Sequence, residues 1–140
     1  MKKLLIVTGS KHDLPLLAEI KRLLKQERIL FEIKIISCHR DIKGLVTELD
    51  PKKLDKENIG AVLAIAHSVA NLPAIVAGYL KESPITVIGV GVPKTETDKF
   101  SSLLSVVSVP KGVPLLNAGI GEVGLHNAAL CCAKLLKRHG

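Results

Sequence analysis

The sequence predicts an α/β fold in which a doubly wound, five-stranded parallel sheet is covered by helices on both faces. Two observations carry this. Runs rich in Ile and Val recur along the 140 residues without strict apolar–polar alternation, the pattern of strands buried on both sides. Longer segments of helical period lie between them, so strands and helices alternate along the chain. A chain of this length buries one real core, so a single domain is expected over 1–140.

The elements follow in order. "KLLIVTG" (3–9) reads as the first strand, and 13–26 as an amphipathic helix with Leu16, Leu17, Ile20, Leu23 and Leu24 on one face. "FEIKIIS" (31–37) is a second strand, followed by a helix over 42–49. "ELDPKKLDKENIG" (48–60) is the most polar stretch and reads as a surface connection. "AVLAIA" (61–66) and "ITVIGVGV" (85–92) are the third and fourth strands, separated by a small-residue helix over 70–80. "VPLLNAGI" (113–120) is the fifth, and a helix over 125–138 closes the chain. Five such units suit a flavodoxin-like, three-layer arrangement, in which ligands bind beyond the carboxyl ends of the strands.

Composition narrows the function. No apolar run approaches the roughly 20 residues that span a bilayer. The apolar part of "MKKLLIVTGS" is too short for a signal peptide, so a cytoplasmic protein with no membrane partner is expected. The net charge of +7 raises the question of nucleic acid. The basic residues fall mostly on helix faces, and with aromatics at 2% there is no platform for stacking bases. A positive field fits a small anionic ligand at least as well, so no nucleic-acid partner is expected. Cys38, Cys131 and Cys132 have no framework spacing; the adjacent pair points about 100° apart on a helix and reads as structural packing.

Four groups fall at the carboxyl ends of the strands: Gly9-Ser10, Ser37-Cys38-His39-Arg40, Ala66-His67-Ser68 and Gly119-Ile120-Gly121. In "TGSKHD" Gly9 lets the backbone approach a ligand, and free amides at the helix start favour an anion. The plainer reading is a strand-to-helix turn with Asp13 as its N-cap. "GIGEVG" (119–124) has the G-x-G-x-x-G spacing of a dinucleotide fingerprint, but the chain ends before the following strand and its acidic residue. It reads as a flexible glycine loop near the rim. His12, His39, His67 and His126 all fall at or near this rim, and none shows the close spacing of zinc ligands, so no metal is expected. With no G-x-S-x-G elbow and no paired carboxylates, the acid–base candidate is histidine.

Five segments, in this order, carry a resemblance: Gly9-Ser10-Lys11-His12-Asp13, Ser37-Cys38-His39-Arg40-Asp41, Val69-Ala70-Asn71-Leu72-Pro73, "SSLLSVVSVPKGVP" (101–114) and "NAAL" (127–130). Collinear over nearly the whole chain, they resemble the PurE family of carboxyaminoimidazole ribonucleotide mutases and aminoimidazole ribonucleotide carboxylases. The family's corresponding patterns are G-S-x-S-D, S-A-H-R-T, A-A-H-L-P, D-S-L-L-S-x-V-Q-M-P-x-G-V-P and N-A-A-L. The resemblance implies carboxylation at C4 of an aminoimidazole ribonucleotide in purine synthesis, from the neighbouring carbamate or from CO₂, without metal or organic cofactor. It implies that His39 is the general acid and base, that Arg40 contacts the phosphate, and that Ser10 and Asp13 contact hydroxyl groups and the ribose. Ser37, His12, His67 and Asn71 complete the expected substrate-binding set. It also implies a homo-oligomer, an octamer in the family, in which rim loops are completed by neighbouring subunits.

Several positions depart from the family. Both glycines of A-G-G-A-A-H-L-P are replaced, by His67 and Ser68, and its histidine is Asn71. The second serine of G-S-x-S-D is His12, and the aspartate of D-S-L-L-S is Ser101. The chain stops at Gly140, where many relatives carry a further helix that ties subunits together. His67 either supplies the missing imidazole from a nearby position or is a packed or capping residue. Two other readings stay open: a PurE-like carboxylase of a different nucleotide, and a nucleotide-binding paralogue without turnover.

Overall fold

The structure, a computed structural model, describes residues 1–138. Five parallel strands form one sheet: β1 Lys3–Thr8, β2 Phe31–Ile35, β3 Ile59–His67, β4 Thr86–Val92 and β5 Leu116–Asn117, in the order β2-β1-β3-β4-β5. This is the flavodoxin-like order, and its direction reverses between β1 and β3. The helices are α1 Leu17–Gln26, α2 Ile42–Glu48, α3 Pro51–Lys56, α4 Asn71–Tyr79, α5 Lys99–Val107 and α6 Gly121–Arg138.

The sheet is covered on both sides because successive residues of its central strands face opposite ways and both sets are apolar. Leu4 and Ile6 of β1, with Leu63 and Ile65 of β3, pack against α1 and α6 through Ile20, Leu24, Ala128 and Cys132. Leu5 and Val7, with Val62 and Ala64, pack against α2, α3 and α4 through Leu45, Leu54, Leu72 and Val76. Each fully buried Leu or Ile contributes about 1.5–3 kcal/mol of hydrophobic burial, so both layers stabilise the sheet that carries the loops.

On the second face β4 presents Gly89 and Gly91, and helices settle closely there. A Cβ at Gly89 would lie 2.6 Å from Pro73 Cβ of α4, and one at Gly91 would lie 2.8 Å from the Ser102 carbonyl oxygen of α5. The edge strand β5 is only two residues long. Asn117 of β5 extends its pairing through the side chain, its Nδ2 donating to the Gly89 carbonyl at 2.9 Å.

Some expectations need correcting. The polar stretch 48–60 contains α3, whose Asp50 N-cap accepts from the amides of Lys52 and Lys53 and whose single buried anchor is Leu54. A further helix, α5, lies between β4 and β5. The last helix begins at Gly121 rather than 125, directly after Gly119 at φ +120° and with Gly121 itself at φ +63°. "GIGEVG" is thus a left-handed turn into α6 more than a free loop. Cys132 is buried in the core, where burial pushes its thiol up to about 12, whereas Cys131 is exposed. No described helix is long and apolar enough to cross a membrane.

Candidate active site

A cleft of about 290 Å³ opens at the carboxyl end of the sheet, where the strand order reverses. Its walls come from the segments after β1 (Gly9, Ser10, His12, Asp13), β2 (Ser37, Cys38, His39) and β3 (Ala66, His67, Val69, Asn71), with Lys94 from beyond β4.

The segment after β1 is a short 3-10 turn, Lys11–Leu16, before α1. Its cap is Ser10, whose Oγ accepts from the His12 amide at 3.2 Å. The reading of Asp13 as the N-cap is therefore corrected. Pro15 within the turn has no amide to donate, which suits a short 3-10 lead-in. Asp13 is instead turned inward at 2% exposure. Its Oδ1 lies in ion-pair contact with the His67 imidazole at Nδ1, and no described group makes a hydrogen bond of ordinary geometry to that oxygen. A Cβ on Gly9 would meet nothing within 4 Å, so the space that glycine leaves is the cleft itself.

After β2, "SCHRD" is a turn closed at both ends by its own side chains. Ser37 Oγ accepts from the Arg40 amide at 3.2 Å, and Asp41 Oδ1 caps α2 through the Gly44 amide at 2.9 Å. This geometry holds His39 at the cleft with Asn71 Nδ2 3.0 Å from its Nε2. With the Asn71 NH₂ as donor Nε2 is the acceptor, the arrangement that goes with the ring tautomer bearing its proton on Nδ1. Burial pushes the Cys38 thiol up, which makes it a poor nucleophile despite its place in the wall.

After β3, Ser68 stands at φ +53°, where a residue with a Cβ pays about 1–2 kcal/mol. The strained turn is held by the Ser68 amide to the Val92 carbonyl at 2.9 Å and by Ser68 Oγ to Asp98 Oδ2 at 2.7 Å. The Ser68 hydroxyl, then the amides of Thr95 and Lys94, hold the Asp98 carboxyl below its usual range. Ser105 Oγ of α5 accepts from the Ala70 amide at 2.9 Å and fixes the start of α4. His67 and Asn71 are therefore carried on a braced segment.

Of the expected site residues, Ser10, His12, Asp13, Ser37, His39, His67 and Asn71 meet in one cleft. Arg40 does not line it; its side chain is exposed beside the His39 turn. His126 is not at the cleft either, but in α6 with Nδ1 3.3 Å from Glu19 Oε1. Gly121 lines a neighbouring depression that shares Lys94 with the cleft. Lys94 was not singled out from the sequence, although a lysine two positions past β4 sits where the same strand-end rule looks. Among the described residues no three His, Cys, Asp or Glu side chains gather closely enough to hold a metal ion.

The AIR carboxylase family profile matches residues 3–139. The chain belongs to that family. A Saccharolobus solfataricus protein named N5-carboxyaminoimidazole ribonucleotide mutase is 35% identical over 136 residues, covering 97% of this chain and 82% of the relative. A Candida albicans protein named phosphoribosylaminoimidazole carboxylase is 34% identical over 131 residues, 94% of this chain and 22% of its own length. The fold is shared with the crystal structure of Treponema denticola PurE, at a TM-score of 0.79 and 20% identity over 100% of this chain and 83% of the other. As a family member the chain is placed in purine biosynthesis.

Proposed function

We propose that this AIR carboxylase family member carries a carboxyl group to C4 of aminoimidazole ribonucleotide, from its N5-carbamate or from CO₂, with His39 as general acid and base. The observation that supports this most is His39 itself: an imidazole held at the switch-point cleft with its Nε2 lone pair directed at a displaceable amide, Asn71.

The chemistry needs little more. The amino group makes C4 of the imidazole electron-rich, and that carbon attacks CO₂. The resulting tetrahedral carbon must lose its hydrogen as a proton. A neutral imidazole within hydrogen-bond reach accepts it, a contribution of about 10²–10⁴-fold in rate. Arg40, exposed beside the same turn, offers its fork to the phosphate, and Ser10 and Ser37 offer hydroxyls. Lys94 adds positive charge at the rim.

Replacing His39 with asparagine tests the assignment. Turnover falls by at least about 100-fold while the C4-carboxylated ribonucleotide still binds. Retained turnover refutes the role. A second reading, carboxylation of a different nucleotide, is supported by His67, which stands in the cleft where the family pattern has glycine. Tight binding of another nucleotide, with no turnover of aminoimidazole ribonucleotide, would favour it.

We infer also that chains associate as a homo-oligomer. Phe100 and Val123, each 70% exposed, support this, as do exposed Leu104, Val107 and Leu116. Sedimentation at a single-chain mass would contradict it.

A further inference from the structure

The Asp13–His67 couple is not used by the reaction as derived above. Asp13 is buried, and its Oδ1 has no hydrogen bond of ordinary geometry among the described residues, the ring of His67 standing against it in ion-pair contact. Nδ1 is the ring atom that faces the carboxylate, and Nε2 has no hydrogen bond to a described residue. A carboxylate held against one ring nitrogen aims the other nitrogen away from it. The ring borders the cleft, and its backbone is braced by the Ser68 amide on Val92 and by Ser68 Oγ on Asp98. A carboxylate that orients one side of an imidazole while its other side faces a ligand cleft is the arrangement of a proton-transfer group. His39, by contrast, meets only a neutral amide.

We propose that His67 is a second proton-carrying imidazole of this site, oriented by Asp13, and that it serves the nitrogen of a carbamate substrate while His39 serves carbon. The inference rests on the C4-carboxylation reading. In the carbamate the bond between nitrogen and the carboxyl carbon breaks, CO₂ is released, and the electron pair stays on nitrogen. His67 Nε2–H gives that nitrogen its proton, and the buried Asp13 carboxylate supplies the counter-charge while both ring nitrogens are protonated. C4 then bonds to CO₂, and its hydrogen leaves as a proton to His39. His39 ends with one proton more and His67 with one fewer, and exchange with solvent restores both. When free CO₂ is the donor, the amine already holds its proton and His67 has no step to perform.

The two donors therefore separate the roles. His67→Asn keeps an amide to pair with Asp13 and removes the titrating ring. It is assayed beside the wild type on the N5-carbamate and on aminoimidazole ribonucleotide with bicarbonate, with melting temperatures recorded for both proteins. The expected result is a fall of about 100-fold or more in kcat on the carbamate, with a loss at least about tenfold smaller on the bicarbonate route. Equal losses on both routes overturn the inference and leave His67 a structural residue. So does a carbamate rate within about threefold of the wild type. Wild-type turnover with bicarbonate alone also overturns it, while the C4-carboxylation reading stands. A wild type inactive with both donors overturns that reading and this inference together.

Discussion

Replacing Gly91 with alanine tests whether α5 braces the loop that carries His67 and Asn71. The new methyl would stand 2.6 Å from Ser102 Oγ and 2.8 Å from the Ser102 carbonyl oxygen. Carbon and oxygen approach comfortably to about 3.3 Å, so α5 must retreat by about 0.5 Å. That retreat stretches the 2.9 Å bond from the Ala70 amide to Ser105 Oγ to about 3.4 Å, past the ordinary range. Overpacking of this kind costs about 1–3 kcal/mol, and exchanging glycine for alanine in a strand returns about 0.5–1 kcal/mol. The net loss lies between about 0 and 2.5 kcal/mol and centres near about 1 kcal/mol, a fall of about 3–4 °C in Tm for a domain of this size. Gly78→Ala in α4 is the control, because its methyl would meet nothing within 4 Å and a helix interior gains about 0.8–1 kcal/mol from the same change at a half-buried position. Urea and thermal melts of both variants should move in opposite directions, and turnover should fall only for Gly91→Ala. A Gly91 variant as stable and as active as the wild type would refute the packing of α5 described above.

Three further outcomes are expected. Arg40→Ala should weaken binding of the C4-carboxylated ribonucleotide by about tenfold or more while Tm stays within about 2 °C, because the side chain is exposed; a parallel loss of both would make Arg40 structural. Asn71→His alone should raise turnover by less than about threefold, since His39 already has its partner and His67 already stands in the cleft; a large gain would identify that histidine as the missing element. Hydrogen bonds from Lys34 at 2.7 Å, then Lys53 at 2.6 Å, hold the Glu48 carboxyl below its ordinary value of 4.5. A depressed carboxylate stabilises the fold above that value and ceases to do so as pH falls through its lower folded one. Glu48→Gln should therefore lower the urea midpoint at pH 7 and leave it unchanged in strong acid; the opposite pattern would contradict the network.

Much of the fold is legible because the strands are long and aliphatic. "AVLAIA" and "ITVIGVGV" cannot be exposed without great cost, and their lack of alternation requires cover on both sides. The short helices were hidden for a matching reason. α3 buries only Leu54, so its period is lost among lysines, although Asp50-Pro51 is a good helix start. α5 is half serine and valine, and settles on β4 largely because Gly91 lets it approach, a tertiary effect that no local pattern announces. The site divides along similar lines. His39 and Ser10 follow from the strand-end rule and from the family motifs. The inward turn of Asp13 depends on His67, which lies far from it in sequence, so a capping residue was the natural reading of that aspartate alone. Ser68 stands in the left-handed region, which favours glycine, and its hydroxyl bonds Asp98 to hold the turn, a contact no local pattern announces.

The account turns on C4 carboxylation. The most direct measurement supplies purified protein with fresh N5-carbamate or with aminoimidazole ribonucleotide and bicarbonate, and follows the C4-carboxylated product by absorbance. Multiple turnovers with at least one donor are predicted. No product from either, with the same protein binding the carboxylated nucleotide, would contradict the account.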